Sequence, residues 1–327
     1  VLLRPVEIAM CGGGRQELIR AVDKDEITVD VAAWLIAEQF PQWASLPVTP
    51  VTLGGWDNTT FRLGDELSIR LPSTYSTAAQ VDKEHRWLPV LARHLPLPIP
   101  EPVAIGRASD GFPRPWSVYR WLPGEPASTG AIADLAGFAS ALAAFLTALQ
   151  GIDASDGPPA GAHNFFRGAP LITWDEQTRE LIRLTADHID TEAATSVWNA
   201  AVASVWEQTP VWVHGDMWPS NLLVAGGALN AVIDFGGIAV GDPAYDLVME
   251  WTFFTGDSAA AFRRRLNLDD ATWARARGWA LWKALVALRN QDAGDVTRAA
   301  ARQFGWRYGP RQIIRLLIAD DARSAGR

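Results

Sequence analysis

The stretch VWVHGDMWPSNLLVAGGALNAVIDFGG, residues 211–237, constrains the fold more than any other part of the chain. It holds three short apolar runs, VWV, NLLV and LNAVI, separated by polar residues and glycines. Runs of this length bounded by turn formers read as strands rather than helices. Gly226-Gly227 marks a hairpin between the second and third. The first strand ends on His214, Gly215 and Asp216, so a buried-looking strand hands polar groups to a loop. Asn221 follows Asp216 by five positions, and Asp234 follows it by 18, at the end of the hairpin. The hairpin returns the chain beside the loop and brings Asn221 and Asp234 within reach of one another.

The rest of the sequence falls into two halves. Residues 29–43 read as an amphipathic helix interrupted near Pro41, and residues 48–72 as three short antiparallel strands with turns at Gly54-Gly55, Asp57-Asn58 and Gly64-Asp65. Residues 77–95 have helical spacing with a possible kink at Pro89, PLPIPEP is an extended connector, and residues 117–122 form another strand. From Ile132 onward the pattern is mostly helical, apart from the strands of the first paragraph. A small sheet-based lobe before a mostly helical one is an α+β arrangement. The expected division is residues 1–118 and residues 119–327.

Of the 327 residues, 48% are hydrophobic and 20% charged, which describes a globular chain. No apolar run approaches membrane-spanning length, and the first residues lack the charged flank and apolar core of a signal peptide. Cys11 is the one cysteine, which leaves no disulfide framework or cysteine metal site, and a reducing cytoplasm is the expected setting. The net charge of −8 is unevenly spread: residues 121–260 carry 3 Lys and Arg against 17 Asp and Glu, and residues 261–327 carry 14 against 6. The acidic segment contains the His-Gly-Asp loop, so its field favours a cationic small molecule. No basic stripe lies near the loop, so neither nucleic acid nor membrane is an expected partner. Arg263-Arg264-Arg265 reads as a solvated face.

Phosphoryl transfer from a nucleotide needs an acidic base near the attacking hydroxyl, oxygen ligands for Mg²⁺, and a cation on the non-transferred phosphates. Asp216 and Asn221 have the Asp-x-x-x-x-Asn spacing of a kinase catalytic loop, and Asp234 stands in an Asp-Phe-Gly triplet. VHGDMWPSN, VIDFGG and GDPAYDL together resemble the aminoglycoside phosphotransferase family, relatives of the eukaryotic-like protein kinases, over about residues 48–282. The resemblance implies a protein-kinase-like two-lobe fold and a small-molecule kinase using ATP or GTP. It implies Asp216 as catalytic base, Asn221 and Asp234 as Mg²⁺ ligands, and His214 as a brace for the loop. Asp246, and with it Asp242, is expected to cap and hold the loop rather than to touch substrate.

The nucleotide lobe departs from that pattern. Where a kinase-like lysine is expected on the third strand, LSIRLP places Arg70, and Glu84 is its candidate partner 14 residues on. Arg70 either does the lysine's work, gripping phosphate bidentately, or pairs with Glu84 for structure alone. Gly54 and Gly55 are the candidate phosphate cradle, without a full GxGxxG. Tyr119, Arg120 and Trp121 are the candidate hinge offering backbone groups to the base. Trp174, Trp198, Trp206, Trp251, Trp273, Trp279 and Trp282 could line an apolar pocket, though tryptophans at helical spacing more often form core. The acceptor is expected to be an aminoglycoside-like cation, with a macrolide, choline or an amino sugar as alternatives. A catalytically silent fold that binds a nucleotide or a partner is the alternative from another class.

Overall fold

A computed structural model describes residues 26–51, 58–292 and 305–326. These divide into two compact units. The smaller comprises the described residues up to Arg93 together with Pro98–Leu122; the larger comprises His94–Leu97 and the chain from Pro123 onward.

The smaller unit is built on helix α1 (Val29–Gln39) and five antiparallel strands, β1 (Val48–Pro50), β2 (Asn58–Leu63), β3 (Leu67–Pro72), β4 (Pro102–Gly106) and β5 (Trp116–Arg120), in the order β1-β2-β3-β5-β4. Helix α1 starts where the Thr28 hydroxyl accepts from the Val31 N–H, and it stops before Pro41, as its sequence expects. Leu35 and Ile36 on one side of α1 join Phe61, Leu63, Ile69, Leu71, Trp116 and Val118 of the sheet in one buried core. Pro102–Gly106, of which the sequence reading placed only Pro102, at the end of the connector, is an edge strand with Val103 and Ile105 exposed. The helical stretch expected over 77–95 forms as a short turn, α2 (Tyr75–Ala78), and a longer helix, α3 (Gln80–Leu91), with Pro89 inside its last turn.

In the larger unit the strands are β6 (Glu125–Pro126), β7 (Val211–Val213), β8 (Leu222–Ala225), β9 (Ala228–Val232) and β10 (Ala239–Gly241). The hairpin β8–β9 turns on Gly226 and Gly227 at φ 59° and 80°, two successive left-handed positions that suit a type I′ turn. β7 pairs with β10, a strand the sequence pattern did not reveal, and this pairing carries the chain after Asp-Phe-Gly back beside the strand that precedes His-Gly-Asp.

Among the described residues the α-helices of this unit are α4 (Leu135–Gln150), α5 (Asp175–Leu184), α6 (Thr191–Ala203), α7 (Met249–Thr252), α8 (Gly256–Leu266), α9 (Asp270–Asp292) and α10 (Pro310–Ala325). Among the described residues, no helix is long and apolar enough to cross a membrane. α4 packs on α8, and α9 packs on α6 and α10. Trp198, Trp251, Trp273 and Trp279 are buried core, while Trp174, Trp206 and Trp282 are half-buried.

The acidic and basic segments lie in this same unit and pair with each other. Arg275 Nε donates to Asp242 at 2.7 Å with both side chains buried, and Arg263 Nε donates to Glu250 at 2.6 Å. Arg263 also reaches Asp320 at 2.8 Å, so of the expected solvated arginine face only Arg264 and Arg265 are exposed. Its two carboxylate partners and two rings offset the cost of burying Arg263: α8 places it beside Trp251 and Trp273, 5.4 and 4.6 Å from their centroids. Removing one partner of a buried pair leaves an uncompensated charge. Arg275→Met is therefore expected to lower the unfolding free energy by about 3–5 kcal/mol in chemical denaturation. The exposed Arg264→Met should change it by less than about 0.5 kcal/mol.

Candidate active site

The His-Gly-Asp loop leaves β7 under the control of one buried carboxylate. Asp246 Oδ2 accepts the His214 N–H at 2.6 Å, and Oδ1 accepts the Gly215 N–H at 2.9 Å. Burial raises the Asp246 carboxyl above its usual range, and the two backbone donors pull it back. Gly215 has φ 78°, and a Cβ there would sit 2.3 Å from the Gly237 carbonyl oxygen. The glycines of the two motifs therefore lie backbone against backbone, where a larger residue is both strained and excluded.

His214 is fully enclosed and both ring nitrogens are used. Nδ1 accepts the Asp216 N–H at 3.1 Å, which puts the proton on Nε2, and Nε2 donates to the Ile233 carbonyl at 3.1 Å. The Ile233 N–H in turn donates to the Asn221 carbonyl at 2.9 Å. Both backbone groups of the residue before Asp234 are thus bonded to the loop that carries Asp216 and Asn221. Asp234 itself has left-handed backbone, φ 67° and ψ 66°, uncommon outside glycine though least costly for Asp and Asn.

The Asp216 carboxylate is held on three sides. Oδ1 accepts from Arg167 Nη1 at 2.8 Å and from the Trp218 indole N–H at 2.7 Å, while Oδ2 accepts one bond, from Asn221 Nδ2 at 3.2 Å. Asn221 Nδ2 also donates to the Asp216 carbonyl at 2.8 Å, which directs its donor end inward and leaves Oδ1 as the acceptor end. Arg167 Nη1 further donates to the Gly215 carbonyl at 2.9 Å.

Arg167 and Trp218 were not foreseen as site residues. Trp218 lies inside the motif, and Arg167 is one of only three basic residues in the acidic segment 121–260, the signal that could have found it. A third addition is Lys283 of α9, whose Nζ lies 4.2 Å from the Trp218 ring centroid and 3.9 Å from that of Tyr245. Burial pushes its ammonium down to about 7, against the attraction of Asp216.

In the smaller unit, Arg70 on β3 reaches Glu84 on α3, Nη1 to Oε1 at 3.3 Å, as the sequence reading expected. The Tyr119 hydroxyl donates to the other Glu84 oxygen, and burial raises that phenol well above its ordinary value. The Arg120 N–H donates to the Glu101 carbonyl at 2.9 Å and the Trp121 N–H to the Glu66 carbonyl at 2.7 Å. Those two hinge N–H groups therefore serve the unit's own backbone and are not available to a base. Gly54 and Gly55 lie outside the described residues.

A family profile described as the phosphotransferase enzyme family, APH, matches residues 48–279. The chain belongs to this family and is an enzyme that transfers phosphate to an alcohol group. No curated protein sequence matches it. Among solved structures it is similar to APH(2")-IIia in a GDP and kanamycin complex, at 23% identity and TM-score 0.64, over 89% of this chain and 98% of that one. It is also similar to macrolide 2'-phosphotransferase MphH from Brachybacterium faecium, at 21% identity and TM-score 0.57, over 85% and 98%. A third is the streptomycin-ATP-APH(2")-IIa ternary complex, at 17% identity and TM-score 0.55, over 85% and 97%. At these identities the likeness establishes the protein-kinase-like fold.

The loop's dependence on Asp246 is testable. Asp246→Asn keeps the shape but turns one of the two acceptors into a donor facing an N–H. Thermal and chemical unfolding should report a loss of about 1–3 kcal/mol, and turnover should fall with it.

Proposed function

We propose that this protein transfers the γ-phosphate of ATP or GTP to a hydroxyl of an amino-bearing small molecule of the aminoglycoside kind. The observation that carries the reading is the junction at Ile233, whose two backbone bonds hold Asp234 beside the loop bearing Asp216 and Asn221. The larger unit is then the catalytic lobe and the smaller one the nucleotide lobe. A cytoplasmic setting suits the donors.

Asp216 is the base. Arg167 and Trp218 saturate Oδ1, so Oδ2 keeps most of its accepting capacity for the acceptor hydroxyl. As the hydroxyl oxygen bonds to the γ-phosphorus, its proton passes to Asp216. The bond to the β–γ bridging oxygen breaks, and the nucleoside diphosphate leaves. His214 has both nitrogens engaged and serves as the brace.

Mg²⁺ fits the oxygen donors present. Among the described residues there is no cluster of three or more His, Cys, Asp or Glu able to hold a metal. Mg²⁺ bound with phosphates characteristically takes only one or two carboxylates and completes its shell with phosphate and water. Asn221 Oδ1 and the Asp234 carboxylate would hold it, and when bound it would neutralise phosphate charge. Arg70, steadied by Glu84, is the candidate grip on the non-transferred phosphates.

A macrolide-like acceptor is the second reading. Trp218 bonds Asp216 on one side and lies 5.5 Å from the Trp306 ring on the other, an aromatic surface suited to an apolar face of the acceptor. The arginine pairing of Asp242 and Glu250 also weakens the case for a polycation based on segment charge.

The test is phosphate transfer from ATP and from GTP with Mg²⁺ to a panel of aminoglycosides, macrolides and amino alcohols, with products read by mass. Asp216→Asn should lower turnover by about 10²–10⁴-fold while nucleotide still binds. Turnover unchanged in that variant would remove Asp216 as base, and nucleotide binding with no acceptor modified would exclude the acceptor classes of the panel, the aminoglycoside kind among them. Separately, Arg70→Met should weaken nucleotide binding by about tenfold or more, the loss of one charge-assisted contact, and Arg70→Lys should restore part of it. Unchanged affinity in Arg70→Met would leave Arg70 a structural partner of Glu84.

A further inference from the structure

Lys283 takes no part in the chemistry above, yet it is the most unusual cation among the described residues. It sits in the middle of α9, 5% exposed, and its Nζ has no hydrogen-bond partner. Lysine stems often bury while the ammonium reaches water. An ammonium enclosed without an acceptor is costly, and a hydrophobic residue of similar volume would ordinarily suit such a place better.

What surrounds Nζ is two aromatic faces. Trp218 lies on one side at 4.2 Å and Tyr245 on the other at 3.9 Å. Cation–π attraction strengthens when the cation is desolvated, so the ammonium binds both rings at once. Each ring leads to the same carboxylate oxygen. The Trp218 indole N–H donates to Asp216 Oδ1. Tyr245 carries the Arg167 guanidinium 5.9 Å from its ring centroid, and Arg167 gives Oδ1 its second bond.

We propose that Lys283 is a positioning residue for Asp216, a cationic clamp between Trp218 and Tyr245 that sets the two donors holding the carboxylate. The proposal rests on the reading of Asp216 as base. Lys283 makes no hydrogen bond to Asp216; it acts on the carboxylate through the two rings, with the direct attraction between the two charges adding to the same hold.

Lys283→Met keeps the length of the side chain and removes its charge. The clamp predicts a fall in kcat of about 10–100-fold, the size expected when a reacting group is displaced by a fraction of an ångström to an ångström. The nucleotide KM should stay within about twofold of its starting value, with the thermal midpoint unchanged or raised. The companion measurement repeats the substitution in a Trp218→Phe background, which keeps a ring but lacks the indole N–H. There the same change should cost clearly less than in the native background, because one of its two routes to Oδ1 is already gone.

A Lys283→Met enzyme with kcat within about threefold of native would overturn the proposal. So would equal costs in the two backgrounds, or a variant that fails to fold, since Lys283 would then be a structural requirement rather than a clamp. Asp216→Asn run beside it separates the two readings. Turnover lost in Asp216→Asn but kept in Lys283→Met ends the clamp alone, whereas turnover kept in Asp216→Asn ends the base assignment beneath it.

Discussion

The paired acceptance of two successive backbone N–H groups by the buried Asp246 carboxylate is the interaction on which the site depends. A strand end that hands polar residues to a loop has no intrinsic reason to adopt one conformation. Asp246 gives it one by setting both carboxyl oxygens where the His214 and Gly215 amides meet them. From that fixed point the rest follows in order. His214 is oriented to receive the Asp216 N–H and to hold Ile233, Ile233 delivers Asp234, and Gly215 and Gly237 come into backbone contact that no larger residue would permit. Such over-determination is what a left-handed, non-glycine Asp234 requires if it is to persist.

Charge in the larger unit is distributed for pairing more than for a long-range field. The acidic middle of the sequence and its basic end adjoin along the chain, and Arg263 and Arg275 reach back across the boundary to Glu250 and Asp242. Net charge by segment therefore overstates the potential a ligand would meet, because partners in space need not be neighbours in sequence. Arg167 shows the opposite case. It is one of three Lys or Arg residues in the acidic segment, and its guanidinium binds Asp216 and the loop carbonyl beside it while lying near the Tyr245 ring.

The elements with strong local signals were legible in the sequence. Glycine pairs identified the β8–β9 hairpin, Pro41 marked the end of α1, and the spacing of Asp216, Asn221 and Asp234 anticipated a single constellation. The edge strand β4, short and irregular in register, and the pairing of the short β10 with β7, a partner well upstream, were not legible. The contributions of Arg167, Trp218 and Lys283 were hidden for the same reason. Each has an ordinary reading by itself, as surface cation, core aromatic or helix lysine, and acquires meaning only where distant segments meet. The hinge shows a third kind of limit: Tyr119, Arg120 and Trp121 lie at the expected place, but the N–H groups of Arg120 and Trp121 are taken by Glu101 and Glu66.

In the proposed site the base and the metal ligands are separate groups fixed in one constellation. A crystal structure of the protein with Mg²⁺ and a non-hydrolysable ATP or GTP analogue tests it most directly. The metal is expected on Asn221 Oδ1 and the Asp234 carboxylate, with Asp216 still bonded to Arg167 and Trp218 and facing the γ-phosphate. A metal seated on Asp216 itself, or a nucleotide bound with Asn221 and Asp234 both uninvolved, would contradict it.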